Sequence, residues 1–200
     1  MRSVANAEKE IRRIAAVMEV AETKGELGEI LAREVKRYSQ HDLMVMGAQA
    51  RKVIDILPQP YREAFRPYAD KWFFGRYHKL LLADRNGAWE KMTDPITDRE
   101  TFVAYCRMFP DACLREDDDT VYLAGTEERE PFYRLFYYLI SAYAMYVCDE
   151  PSHPEGTPFP GGFKVYRKDG VYYCPIRDKE EDIWHSVCNF CPAKQDPENE

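Results

Sequence analysis

Between Pro151 and Gly162 the chain places Pro151, Pro154, Gly156, Pro158, Pro160, Gly161 and Gly162, a density no helix can hold, because proline removes a backbone donor and glycine disfavours helix. Upstream, apolar residues recur with a helical period. Downstream, short β-prone runs and paired cysteines replace that period. The segment therefore divides the sequence into a helical body, residues 1–150, and a C-terminal module, residues 151–200. The module comprises a Pro/Gly linker, a β-hairpin and a cysteine-rich knuckle packed on the body. The expected fold class is mainly α, a bundle-like helical body with a small C-terminal hairpin.

In the body, Ile11, Ile14, Ala15, Met18 and Ala21 fall on one face of a 3.6-residue period, which predicts an amphipathic helix from Ala5 to about Thr23. Gly25 is read as an interruption. Leu27, Ile30, Leu31, Val35 and Tyr38 then carry a second helix to Gln40, and Asp42 caps a third that Pro58 stops. Tyr61 to Ala83 is an aromatic segment broken or kinked at Pro67 and Gly75; core packing is its expected role, the alternative being a pocket or partner groove with Arg62, Arg66 and Arg76 available to an anionic ligand. A short helix runs from Asp98 to Met108 and ends near Pro110, and Glu116 to Asp119 forms an acidic loop. Pro131 opens the central helix, which continues through Val147.

Composition narrows the function classes. A chain of 200 residues with 45% hydrophobic content buries roughly 70% of its unfolded surface and is globular. Its net charge of −7 opposes nucleic acid and anionic lipid. No apolar run has signal-peptide length at the N-terminus, and Leu135 to Cys148 is too short to span a bilayer, so a cytoplasmic, non-membrane protein is expected. Six cysteines in such a chain fit reduced thiols and a metal site better than disulfides.

Phe163 to Tyr166 and Val171 to Tyr173 flank Lys168-Asp169-Gly170, a hairpin turn signal, and the second run delivers Cys174 at its end. After thirteen intervening residues comes Cys188-Asn189-Phe190-Cys191-Pro192. Two thiols two residues apart converge on one ion, and a third from a strand end nearly completes a tetrahedron. His153 is the expected fourth ligand, with Cys148 and His185 as alternatives. Zinc is the expected metal, serving stability and recognition of a protein partner. An iron–sulfur cluster on the same thiols is one alternative. A metal-dependent enzyme with an open position is another, with Glu180, Glu181, Asp182 or His185 as acid or base. The residues after Cys191 are polar and expected to fray.

Three stretches are distinctive: His153-Pro154-Glu155-Gly156-Thr157-Pro158-Phe159-Pro160-Gly161-Gly162-Phe163, Tyr173-Cys174-Pro175, and Cys188 through Gln195. In them the chain resembles an uncharacterised family of archaeal proteins, chiefly from methanogens, labelled domain of unknown function 2115. The resemblance implies the cytoplasm of an anaerobic archaeon, where an iron–sulfur cluster is better tolerated. It also favours His153 as the fourth ligand and implies no activity.

Overall fold

A computed structural model describes residues 4–115 and 130–199. The acidic run Glu116 to Asp119 lies outside the described residues. Seven α-helices precede a small sheet: α1 (Val4–Glu19), α2 (Lys24–Val35), α3 (Gln40–Ile56), α4 (Tyr61–Asp70), α5 (Arg76–Arg85), α6 (Arg99–Leu114) and α7 (Glu130–Ala142). Ala7, Ile11, Ile14, Ala15 and Met18 bury the face of α1 that their spacing predicts, against α6, which packs in turn on α7. The helix α7 is buried on nearly every side, through Tyr133, Leu135, Phe136, Tyr138, Leu139 and Ile140. An all-round apolar helix of this kind has to lie at the centre of the body.

Helix starts are set by reciprocal caps. Thr23 and Glu26 form a capping box on α2, and Ser39 with Asp42 forms one on α3, so Asp42 is the third helical residue and Ser39 the cap. Gly25 does not interrupt a helix. It lies in the first turn of α2, where a Cβ would come within 2.3 Å of the Trp89 carbonyl oxygen, so glycine is needed there for close approach. Pro110 does not end α6, which continues to Leu114. The burial of Phe109, Ala112 and Cys113 outweighs the hydrogen bond that the proline removes.

The aromatic segment is continuous through Pro67, and α4 passes into α5 through a π-helical turn at Lys71–Gly75. A second π turn, Tyr143–Val147, follows α7 and ends at Cys148. The arginines of this region are engaged within the protein: Arg62 donates to the Leu57 carbonyl at 2.8 Å, Arg66 to Asp55 at 2.9 Å, and Arg76 to the carbonyls of Pro151 and Ser152. These contacts favour packing over the alternative in which the three arginines serve an anionic ligand.

The Pro/Gly segment folds on itself. Gly156 N–H donates to the Val165 carbonyl, Val165 N–H to Thr157, and Phe159 N–H to Phe163. Strands β1 (Tyr166–Lys168) and β2 (Val171–Cys174) then pair antiparallel, with Lys168 opposite Val171. Asp169 and Gly170 take the positive φ values of 49° and 81° that a tight hairpin turn requires. The tail does not fray. Strand β3 (Lys194–Gln195) pairs parallel with β2, and Asp196 behind it is 4% exposed. The Gln195 side chain accepts from Asp178 N–H at 2.9 Å and donates to the carbonyls of Pro175 and Asn199 at 3.2 and 2.8 Å. A hydropathy reading misses anchors made of amides. No described helix is long and apolar enough to cross a membrane.

Candidate metal centre

The module's topology draws the three knuckle cysteines into one region. Cys174 ends β2, Cys188 lies in the 3₁₀ turn Val187–Phe190, and Cys191 precedes β3, which runs alongside β2. Each sulfur already accepts a hydrogen bond. In Cys174-Pro175-Ile176 the Ile176 N–H donates to the Cys174 sulfur, and in Cys191-Pro192-Ala193 the Ala193 N–H donates to that of Cys191. In both Cys-Pro units the amide two residues on thus faces the thiol. The Cys191 sulfur takes a second amide, from Ser152, and the Cys188 sulfur takes the Ser186 hydroxyl.

As they stand, the three thiols are held in the neutral form. Burial first, and then the neighbouring thiols, push Cys174 up to about 11 and Cys188 up to about 12. Burial likewise raises Cys191. The sulfurs are close enough for a charge on one to disfavour charge on another. A buried cation would reverse that balance, since coordination deprotonates a thiol outright.

The fourth position is less settled in place. His153 stacks on Trp72 at 5.8 Å between ring centroids and meets Phe159 edge-on at 5.4 Å. Burial, and then the charge of Arg76, hold its pKa down to about 4, so the imidazole is neutral, the form a metal requires. Its neighbour Ser152 touches Cys191, which brings the His153 backbone beside the thiols. Cys148 instead accepts a hydrogen bond from the Tyr143 hydroxyl and is exposed. The His185 ring lies against Trp184, and its carbonyl accepts from Tyr138 at 3.0 Å. Among the described residues, no three His, Cys, Asp or Glu side chains stand close enough together to hold an ion as they are oriented. The structure thus brings Cys174, Cys188 and Cys191 within mutual electrostatic reach without arranging them with His153 as a finished tetrahedron.

Residues that spacing alone could not nominate lie beside these thiols. Arg76, 3% exposed, projects from the start of α5 and donates to the Ser152 carbonyl and, at 2.6 Å, to the Pro151 carbonyl. Its Nη2 is 3.8 Å from Glu150. Burial lowers the Arg76 pKa, against the opposing pull of Glu150, Cys148 and Cys191. A guanidinium from the body thereby holds the backbone that carries His153. Ser186, two residues before Cys188, is the other residue the sequence gave no reason to select.

Beside this region is a cavity of about 410 Å³, walled by Ile54, Trp72, Phe73 and Tyr137 from the body and by His153 and Cys188 from the module. Of the acid–base residues expected in the loop after Cys174, Glu180 and His185 reach this cavity, whereas Glu181 and Asp182 are exposed.

Residues 23–196 match the model of the family described as "Uncharacterized protein conserved in archaea (DUF2115)". A UPF0305 protein of Methanopyrus kandleri is 36% identical over 143 residues, covering 72% of this chain and 89% of the relative. One from Methanothermobacter thermautotrophicus is 29% identical over 174 residues, covering 87% of this chain and 97% of the relative. Another, from Methanocaldococcus jannaschii, is 26% identical and covers 84% and 94% respectively. No solved structure matches the chain. The chain belongs to this archaeal family, whose printed names assign no activity.

Proposed function

We propose that this member of the archaeal family carries a structural zinc site, with Cys174, Cys188 and Cys191 as thiolate ligands and His153 as the fourth. The site locks the C-terminal module onto the helical body. One observation carries the proposal: three largely buried sulfurs, two from Cys-Pro units and one from a 3₁₀ turn, each accept a hydrogen bond although burial, joined at Cys174 and Cys188 by neighbouring thiols, raises their pKa values. Donors aimed at a sulfur stabilise thiolate, and a divalent cation is what allows all three to become thiolates together. The neutral imidazole of His153 fits the same donor set once its ring turns from Trp72. Zinc, when bound, contributes its ligand-binding free energy to folding. Arg76 would partly offset the net negative charge of three thiolates and one divalent ion.

Elemental analysis of protein prepared anaerobically without a metal-affinity tag, with a visible spectrum of the same sample, tests this reading. About one zinc per chain and no visible colour are expected. Cys188→Ser together with Cys191→Ser should abolish zinc retention and lower the melting temperature. Stoichiometric iron with labile sulfide would assign the thiols to a cluster instead. Metal content and melting temperature that ignore the double substitution would remove the site altogether. The cavity favours one variation: because it reaches Cys188, His153 and His185, a site in which His153 stays on Trp72 would leave the fourth position facing a space large enough for a substrate.

A further inference from the structure

The cavity has features that packing alone does not require. It lies where the module's loop stands over α3, α4 and the first π turn, and seams of this kind are where small-molecule sites concentrate. Its volume of about 410 Å³ is within the range of pockets that enclose small organic ligands. A π turn inserts an extra residue into a helix and is a recurrent feature of functional sites. The turn at Lys71–Gly75 carries Trp72 and Phe73, which line the cavity together with Tyr137, whose ring meets Trp72 edge-on at 5.5 Å between centroids. These rings form one aromatic wall, and the small side chains of Ala50 and Ala69 line the cavity's helical side.

Charged side chains line it as well. Arg115 and Arg134 lie close enough to Tyr138 to act on its hydroxyl. Glu180 lies near Tyr137 and Cys188. Arg134 is paired with Glu130. Arg115 makes no ion pair among the described residues: it hydrogen-bonds the Tyr138 hydroxyl, one Nη donates to the Ala112 carbonyl at 3.0 Å, and its buried Nε has no hydrogen-bond partner among them. A buried guanidinium donor left unmatched is costly, and an anionic oxygen would satisfy it with a charge-assisted bond.

We infer that this cavity binds a small, planar, largely apolar molecule carrying one acidic group, with its rings against the wall formed by Trp72, Phe73 and Tyr137 and the anion on Arg115. The assignment goes beyond the zinc reading and does not rest on it, since Arg115 and the aromatic wall lie outside the proposed ligand set.

Two probes with the same aromatic body separate the parts of the claim: anilinonaphthalene sulfonate carries the anion, and N-phenylnaphthylamine lacks it. Each is titrated by fluorescence into the full chain, with zinc content measured on the same samples so that loss of metal and loss of the cavity are told apart. The anionic probe should bind saturably, one per chain. Arg115→Met should weaken it by about tenfold, the loss of one charge-assisted contact, while changing the neutral probe by about twofold or less. Ala69→Phe or Ala50→Phe, which fill the space, should abolish binding of both probes without lowering the melting temperature. Two filling variants are used so that misfolding of one does not decide the matter. Absence of saturable binding by either probe overturns the inference. So does retention of binding in both filling variants, or equal weakening of the two probes by Arg115→Met.

Discussion

At His153 the environment has decided a protonation state. An exposed imidazole titrates near 6.5, whereas burial and the nearby Arg76 hold this one near 4. Above about pH 6.5 neither the folded nor the unfolded chain takes up this proton, and the contribution of the neutral, packed ring is complete. As pH falls further, the unfolded chain binds a proton that the folded chain refuses, so stability is lost until about pH 4, where the folded ring protonates too. Allowing for the ring's partial exposure, the loss is on the order of 2 kcal/mol. His153→Phe keeps the aromatic stack on Trp72 without the titration. The stability difference between the natural chain and this variant, from denaturant curves on metal-free protein at about pH 7 and about pH 4.5, should shift by that amount against the natural chain. A difference independent of pH would mean that His153 titrates like an exposed imidazole. Residue type and spacing pointed to His153, but only the fold shows its contact with Trp72. Gly25 gives the converse lesson, since a glycine reads as a break in sequence until Trp89 is found against it.

Elements were legible where hydrophobic periodicity was their cause and obscure where polar detail was. The apolar stripe of α1 and the all-round burial of α7 follow from spacing, and the Asp-Gly hairpin follows from turn chemistry. The π turns, by contrast, arise from tertiary packing of the aromatic segments and have no sequence period of their own. Strand β3 was missed for a third reason: its anchor is a single amide side chain. Gln195 satisfies Asp178 N–H and bridges to the carbonyls of Pro175 and Asn199, tying the tail back to the turn after Cys174. Gln195→Ala should cost about 1–2 kcal/mol through these lost bonds. Its signature is local: amide hydrogen exchange at Asp178 and Asp196 should accelerate together while exchange in α7 is unchanged. Acceleration spread evenly through the chain would show instead that the tail opens only by global unfolding.

For the whole molecule, the main question is what couples the module to the body. The tyrosine contacts across the seam are single hydrogen bonds: Tyr138 to the His185 carbonyl at 3.0 Å, Tyr146 to the Phe190 carbonyl at 3.3 Å, and Tyr61 to the Pro158 carbonyl at 3.3 Å. Arg76 differs in kind, because it is a buried cation whose fork holds two successive carbonyls of the segment leading into the module. Removing it leaves both carbonyls buried without that donor and takes a positive charge away from Cys191. Arg76→Met should therefore destabilise the protein by about 3 kcal/mol, within the range for truncating one partner of a buried charged contact. The same variant should increase protease cleavage between residues 150 and 162 and weaken zinc retention, since it frees the backbone beside the thiols. Arg76→Lys supplies the charge without the fork, so it should recover zinc retention better than resistance to cleavage. That split separates a guanidinium needed for its geometry from one needed only for its charge. Cleavage and stability unchanged in Arg76→Met would instead place the coupling in the tyrosine contacts and the thiol site.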